Sequence, residues 1–216
     1  MNNILENSIS DLLVKKIDLA MVPKSNKIDS RTFSRLLDDD KVVASYKMYW
    51  LLGILEEVTS GNTEIEFNKI VARMIVVAWY PIMQYKLSFG VFDNLKKPIN
   101  YVALKYGFAP NCDESELLKF LCESGDKELK KMMMDLTCMG PYRLLSPFFT
   151  EDLKGKSKSS KNKIIQELSV ESDTCFYKII KEGKNRILIN EDWAQYLNEN
   201  YRVIKSWIYY KIVCFL

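Results

Sequence analysis

Phe67 to Pro81 reads FNKIVARMIVVAWYP, and Phe67, Ile70, Val71, Met74, Ile75, Ala78 and Trp79 recur in it at i, i+3, i+4, i+7 and i+8. That spacing lines one face of an α-helix with apolar side chains, so the stretch predicts a core-facing helix. Pro81 has no amide hydrogen and marks the helix end or a kink near it. Trp79 and Tyr80 together suggest a stacking platform for bases. The alignment of Trp79 with Ile75 and Val71 favours core packing instead.

Upstream, Lys41 to Thr59 carries apolar residues on nearly every side, as a central helix wrapped by others would. Ser60-Gly61-Asn62 supplies helix-stop chemistry. Before it, Asp29 or Ser30 caps a short helix through Leu37, and Asp38-Asp39-Asp40 reads as a solvated helix end. Downstream, Ser88-Phe89-Gly90 punctuates the chain and a helix is expected from Pro98 to Tyr106. Asp113-x-x-Glu116 forms a capping box for Ser115 to Ser124, and a helix from Asp126 to Met139 ends at Gly140-Pro141. Within it, one or two of Met132, Met133 and Met134 face the core, because consecutive residues point around a helix. Pro141 to Phe149 (PYRLLSPFF) looks too proline-rich for a helix and is expected to lie extended against the body. Cys175 to Ile180 and Arg186 to Ile189 are β-rich around Glu182-Gly183-Lys184-Asn185 and predict a hairpin. Asn190 then caps a helix over Glu191 to Leu197, and a last helix runs from Tyr201 to Leu216. The fold class is therefore mainly α: a helical, bundle-like body with a small β-hairpin in the C-terminal third. The expected organisation is a helical body at 1–149, a lysine-rich loop or linker at 150–163, and hairpin plus C-terminal helices packing on the body at 164–216.

The chain of 216 residues has no histidine, although it holds 12 Tyr, 10 Phe and 4 Trp. Histidine is the usual general base near neutral pH and the commonest metal ligand, so Ser-His-Asp and Cys-His activation and histidine-containing zinc sites are excluded. With 48% hydrophobic residues, the chain can bury a substantial core. It has neither a signal-peptide pattern nor an apolar stretch near the roughly 20 residues that span a bilayer, so it reads as soluble and cytoplasmic. Cys112, Cys122, Cys138, Cys175 and Cys214 are odd in number and widely spaced, as reduced and mostly buried thiols would be.

The net charge of +3 is not evenly spread. Glu151 to Lys163 (EDLKGKSKSSKNK) has five lysines against two acids, so the remainder balances. Lys154, Lys156, Lys158, Lys161 and Lys163 are the candidate phosphate-contacting residues, each neutralised phosphate adding salt-sensitive affinity. A solvated linker is the bland alternative. The segment has no aromatic or arginine, which speaks against base-specific reading. Asp173 with Glu182 and Lys184, or Asp152-Leu153-Lys154, loosely resembles the acidic-plus-lysine pattern of a metal nuclease, but in turn-like sequence. No phosphate-binding glycine loop, dinucleotide fingerprint or nucleophile elbow appears.

Four strings taken together, Ser45 to Val58 (SYKMYWLLGILEEV), Arg73 to Leu95 (RMIVVAWYPIMQYKLSFGVFDNL), Pro141 to Phe149, and Ile187 to Leu216 with its Asn190-x-x-Trp193-x-x-Tyr196-Leu197 pattern, identify a resemblance. Their order and spacing are similar to the N-terminal region of bacterial HNH endonuclease domain-containing proteins of the restriction or antiphage defence type. The resemblance implies a non-catalytic body that positions DNA or a partner for a C-terminal nuclease module. It carries no catalytic residue onto this chain, which needs no cofactor of its own; a divalent metal would belong to the nuclease module alone. The apolar end SWIYYKIVCFL fits that picture, with Trp207, Ile208, Ile212, Phe215 and Leu216 expected to dock a partner or the following module. A stand-alone helical interaction scaffold without nucleic-acid affinity is the alternative, and a homo-oligomer stays open.

Overall fold

A computed structural model describes residues 21–37, 45–87 and 94–216. The run Asp38-Asp39-Asp40 and the Ser88-Phe89-Gly90 punctuation lie outside the described residues. The architecture is mainly α with one small antiparallel sheet. In chain order the helices are α1 (Ser30–Ser34, continued as a 3-10 turn over Arg35–Leu37), α2 (Tyr46–Thr59), α3 (Phe67–Tyr85), α4 (Lys96–Tyr106) and α5 (Glu114–Glu123). There follow α6 (Lys127–Asp135), α7 (Gly140–Leu145, continued as a 3-10 turn over Ser146–Phe149), α8 (Lys158–Glu171), α9 (Glu191–Glu199) and α10 (Tyr201–Phe215).

Helix α2 is the axis. Met48 to Leu52, Ile54, Leu55 and Val58 are buried around its whole circumference, and α3, α7, α9 and α10 pack on it. Gly53 lets α3 come close: a Cβ there would lie 2.9 Å from both Ile70 Cγ2 and the Ile70 carbonyl oxygen. In an open helix Gly→Ala stabilises by about 0.5–1 kcal/mol, but overpacking costs about 1–3 kcal/mol, so the clash decides the sign. Gly53→Ala is expected to lower stability by about 1–2 kcal/mol in urea unfolding. An unchanged or higher midpoint would contradict the close crossing.

The quoted helix α3 buries the predicted face, with Trp79 in the core donating its indole N–H to the Ala109 carbonyl at 2.9 Å. Tyr80 is exposed. The helix does not stop at Pro81: it continues to Tyr85 and closes at Lys86 in the left-handed region (φ 56°). The caps at Asp29, Asp113 and Asn190 form as predicted, each side chain accepting from first-turn amides.

Pro141 to Phe149 is helical rather than extended. Each proline is the second residue of its own helix, where an amide hydrogen has no intrahelical acceptor to lose. Proline content excludes a helix interior, not a helix start.

The predicted hairpin forms as β2 (Tyr177–Ile180) and β3 (Arg186–Ile189), and Glu64–Glu66 adds a further strand, β1. The sheet order is β1-β3-β2, with Ile65 opposite Ile187 and Ile187 opposite Ile179 in antiparallel register. All three isoleucines are buried. The sheet thus ties the C-terminal third to the loop between α2 and α3. Among the cysteines only Cys175 is buried; Cys138 and Cys214 are exposed, against the expectation of mostly buried thiols.

The apolar end is also corrected. Trp207, Ile208 and Ile212 are buried within the molecule, in the α10 face that packs on α2. Tyr201 Oη donates to Glu56 Oε1 at 2.9 Å and Lys205 Nζ lies 2.8 Å from the same oxygen, closing that helix pair. Leu216 is exposed and Phe215 half-buried, and the outward apolar character of α10 runs along its solvent face at Val203, Tyr209, Val213 and Leu216.

Candidate nucleic-acid interface

The lysine-rich segment is not a free linker. Leu153 is buried and pins the turn, its amide donating to the Phe149 carbonyl at 3.1 Å. Lys154 N–H reaches Glu151 O at 3.2 Å, Lys156 N–H reaches Leu153 O at 3.3 Å, and Gly155 takes φ 71°. That left-handed position suits glycine because it has no Cβ to crowd the carbonyl. From Lys158 onward the chain is helical, so Lys158, Lys161 and Lys163 belong to α8 and not to a loop. Ser157 is the cap: its hydroxyl accepts from Ser160 N–H at 3.3 Å. Ile165 is buried, with Ile164 and Leu168 partly buried against the core beside it, and gives the helix its inner face. Lysine, serine and glycine enrichment disguised a capped helix as a linker.

The segment therefore presents its charges from a held surface. Lys154 and Lys156 are exposed on the turn, Lys161 is half-exposed in the first turns of α8, and Lys163 projects with only a distant Glu167 carboxylate, 3.8 Å away. Among the described residues no carboxylate pairs with Lys154, Lys156 or Lys161. The helix N-terminus adds its own partial positive charge to theirs. The acids Glu151 and Asp152 are exposed at the other end of the turn.

The alternative acidic constellation does not assemble. Asp173 precedes β2 and faces Lys178 at 3.5 Å, Glu182 lies beyond its other end, and Lys184 Nζ is held by Glu66 at 2.9 Å. Among the described residues no group of three His, Cys, Asp or Glu side chains is placed to hold a metal ion.

A second feature escaped the sequence reading. Glu57, inside the apolar axis helix, is fully buried. Its Oε1 accepts from Arg73 Nε at 2.6 Å, and its Oε2 accepts from Lys69 Nζ and Asn62 Nδ2, each at 2.9 Å. Glu57, Asn62 and Lys69 line a cavity of about 360 Å³ together with Glu64, Glu66 and Cys122. Burial pushes the Cys122 thiol pKa up, away from nucleophilic use. The sequence signal was the Glu56-Glu57 pair near the end of an apolar helix, with two cations, Lys69 and Arg73, spaced i, i+4 on the next one.

A third cluster fixes α6. Asp126 Oδ1 caps the helix, while Oδ2 accepts from Tyr101 Oη (2.9 Å), Lys105 Nζ (2.9 Å) and Tyr106 Oη (2.6 Å). The Tyr106 hydroxyl and the Lys105 ammonium hold this carboxyl well below the usual carboxylate range. A depressed folded pKa means that the clasp keeps its contribution at ordinary pH and loses it only as pH falls through the folded value.

Comparison with known proteins adds no family: no family model, no curated protein and no solved structure matches this chain. No helix among the described residues is long and apolar enough to cross a membrane.

Proposed function

We propose that this chain is a non-catalytic positioning module that holds the phosphate backbone of DNA through the turn and first helical turns at 154–163, in the service of an HNH-type nuclease. The observation that carries the reading is the local charge excess of Glu151 to Lys163, presented from a pinned turn and a capped helix with Lys154, Lys156 and Lys161 unpaired by carboxylates. A held array loses less side-chain and backbone entropy on binding than a free linker would. Phosphate contact without arginine or aromatic side chains gives register and affinity, not base reading. The link to a nuclease and to defence rests on the resemblance of the four strings.

The test is a variant with all five lysines, Lys154, Lys156, Lys158, Lys161 and Lys163, replaced by Gln, titrated with labelled duplex DNA by fluorescence anisotropy. Each lost contact flattens the slope of log K against log salt by about 0.9, so a change of about 4.5 is expected if all five engage. Unchanged affinity and slope, in a variant with native circular dichroism, would overturn the reading. The scaffold alternative draws on the exposed Val203, Tyr209, Val213 and Leu216 of the last helix and predicts that unchanged outcome.

A further inference from the structure

We infer that the DNA-contacting surface does not end at Lys163 but continues onto α6, where Lys127, Lys130 and Lys131 extend it into a track for a duplex backbone. The inference rests on the phosphate-contact reading and enlarges its surface with residues remote in sequence. Helix α6 buries Leu129 and Met133 and turns Lys127, Lys130, Lys131 and Met134 outward. Among the described residues none of these three lysines is paired with a carboxylate. The clasp at Asp126 anchors the helix start.

The early part of α8 is tied to the turn that follows α6. Asn162 Nδ2, one residue beyond Lys161, donates to the Cys138 carbonyl at 2.9 Å, in the turn that leaves α6. Lys131 lies four residues before the end of α6 at Asp135, about 6 Å of helical rise, and Cys138 follows three residues later in the turn. Lys127 to Lys131, the Asn162–Cys138 join, Lys161, and Lys156 to Lys154 therefore follow one another along connected structure.

The charge count agrees. Residues 127–163 hold nine Lys and Arg against four Asp and Glu, a net of +5 within a chain whose total is +3, so the rest is net negative. The acids on the track, Glu128, Asp135, Glu151 and Asp152, lie beside the lysines and lower its field without cancelling it. A duplex presents a phosphate about every 3.4 Å along each strand. That repeat suits an extended line of lysines better than a single anion does.

The test compares three variants by anisotropy with labelled duplex DNA: Lys127→Gln/Lys130→Gln/Lys131→Gln, the five-lysine variant, and a control, Lys96→Gln/Lys97→Gln, on exposed α4 positions. The α6 variant should lose roughly a hundredfold in affinity at 50 mM salt and flatten the salt slope by about 2–3, with the control unchanged. An unchanged α6 variant beside a weakened five-lysine variant would overturn the extension and leave the first reading intact. No change in either, or native binding to phosphatidylserine vesicles in place of DNA, would overturn both.

Discussion

Trp193→Ala is expected to lower the unfolding free energy by about 3–5 kcal/mol, the usual cost of emptying a buried tryptophan site. The indole is 2% exposed and stands at the centre of an aromatic cluster that joins most of the chain. Its ring centroid lies 5.6 Å from Phe33 on α1, 5.6 Å from Phe148 on the 3-10 turn and 5.4 Å from Phe176 before β2. Its N–H donates to the Thr174 carbonyl at 3.1 Å. Truncation empties a volume bounded by several elements, none of which can collapse into it without moving the others, and orphans a carbonyl. For a domain of this size a thermal midpoint lower by about 6–20 °C should follow. Trp193→Phe, which keeps most of the apolar contact and loses the N–H, should cost about half as much or less. A loss below about 1 kcal/mol for Trp193→Ala would deny that the C-terminal helices and the N-terminal body share one core.

The Glu57 network gives the second large effect. Replacing Glu57 by Met removes the carboxylate and leaves the Arg73 guanidinium and the Lys69 ammonium without it. Breaking a fully buried pair costs about 3–5 kcal/mol, but Arg73 is 25% and Lys69 42% exposed, and both can turn toward water. The expected loss is therefore nearer about 2–3 kcal/mol, read from denaturant unfolding. The double variant Glu57→Met/Arg73→Met should recover part of it, because only the 42%-exposed Lys69, free to turn toward water, is then left without its carboxylate. Purely additive losses would contradict the pairing.

These two sites differ in how visible they were in sequence. The Asn190-x-x-Trp193-x-x-Tyr196-Leu197 spacing announced a capped helix with a buried face, because cap chemistry and periodicity are local. The helical face of Phe67 to Trp79 was legible for the same reason. Glu57 was not, since its partners come from the next helix and the loop before it, and nothing in a linear pattern sets their distances. Strand β1 is only three residues long and exists because β3 offers it an edge. Other departures are local: proline excludes a helix interior but not a helix start, and a Lys-Ser-Gly run has the composition of a linker although Ser157 caps a helix. The apolar end pointed outward on paper because its buried partner, α2, is some 150 residues away in sequence. For the candidate interface the lysines at 154–163 were legible as charge. Their fixed presentation was not, since it depends on the turn at Leu153 and the capped start of α8.

The most direct measurement on the central claim is the affinity of the native chain for duplex DNA across a salt series. Five engaged lysines predict a slope of log K against log salt of about −4.5, equivalent to a fall of several hundredfold between 50 and 200 mM. Participation of α6 would steepen it further. No binding at 50 mM salt, or a slope near zero, would contradict the account.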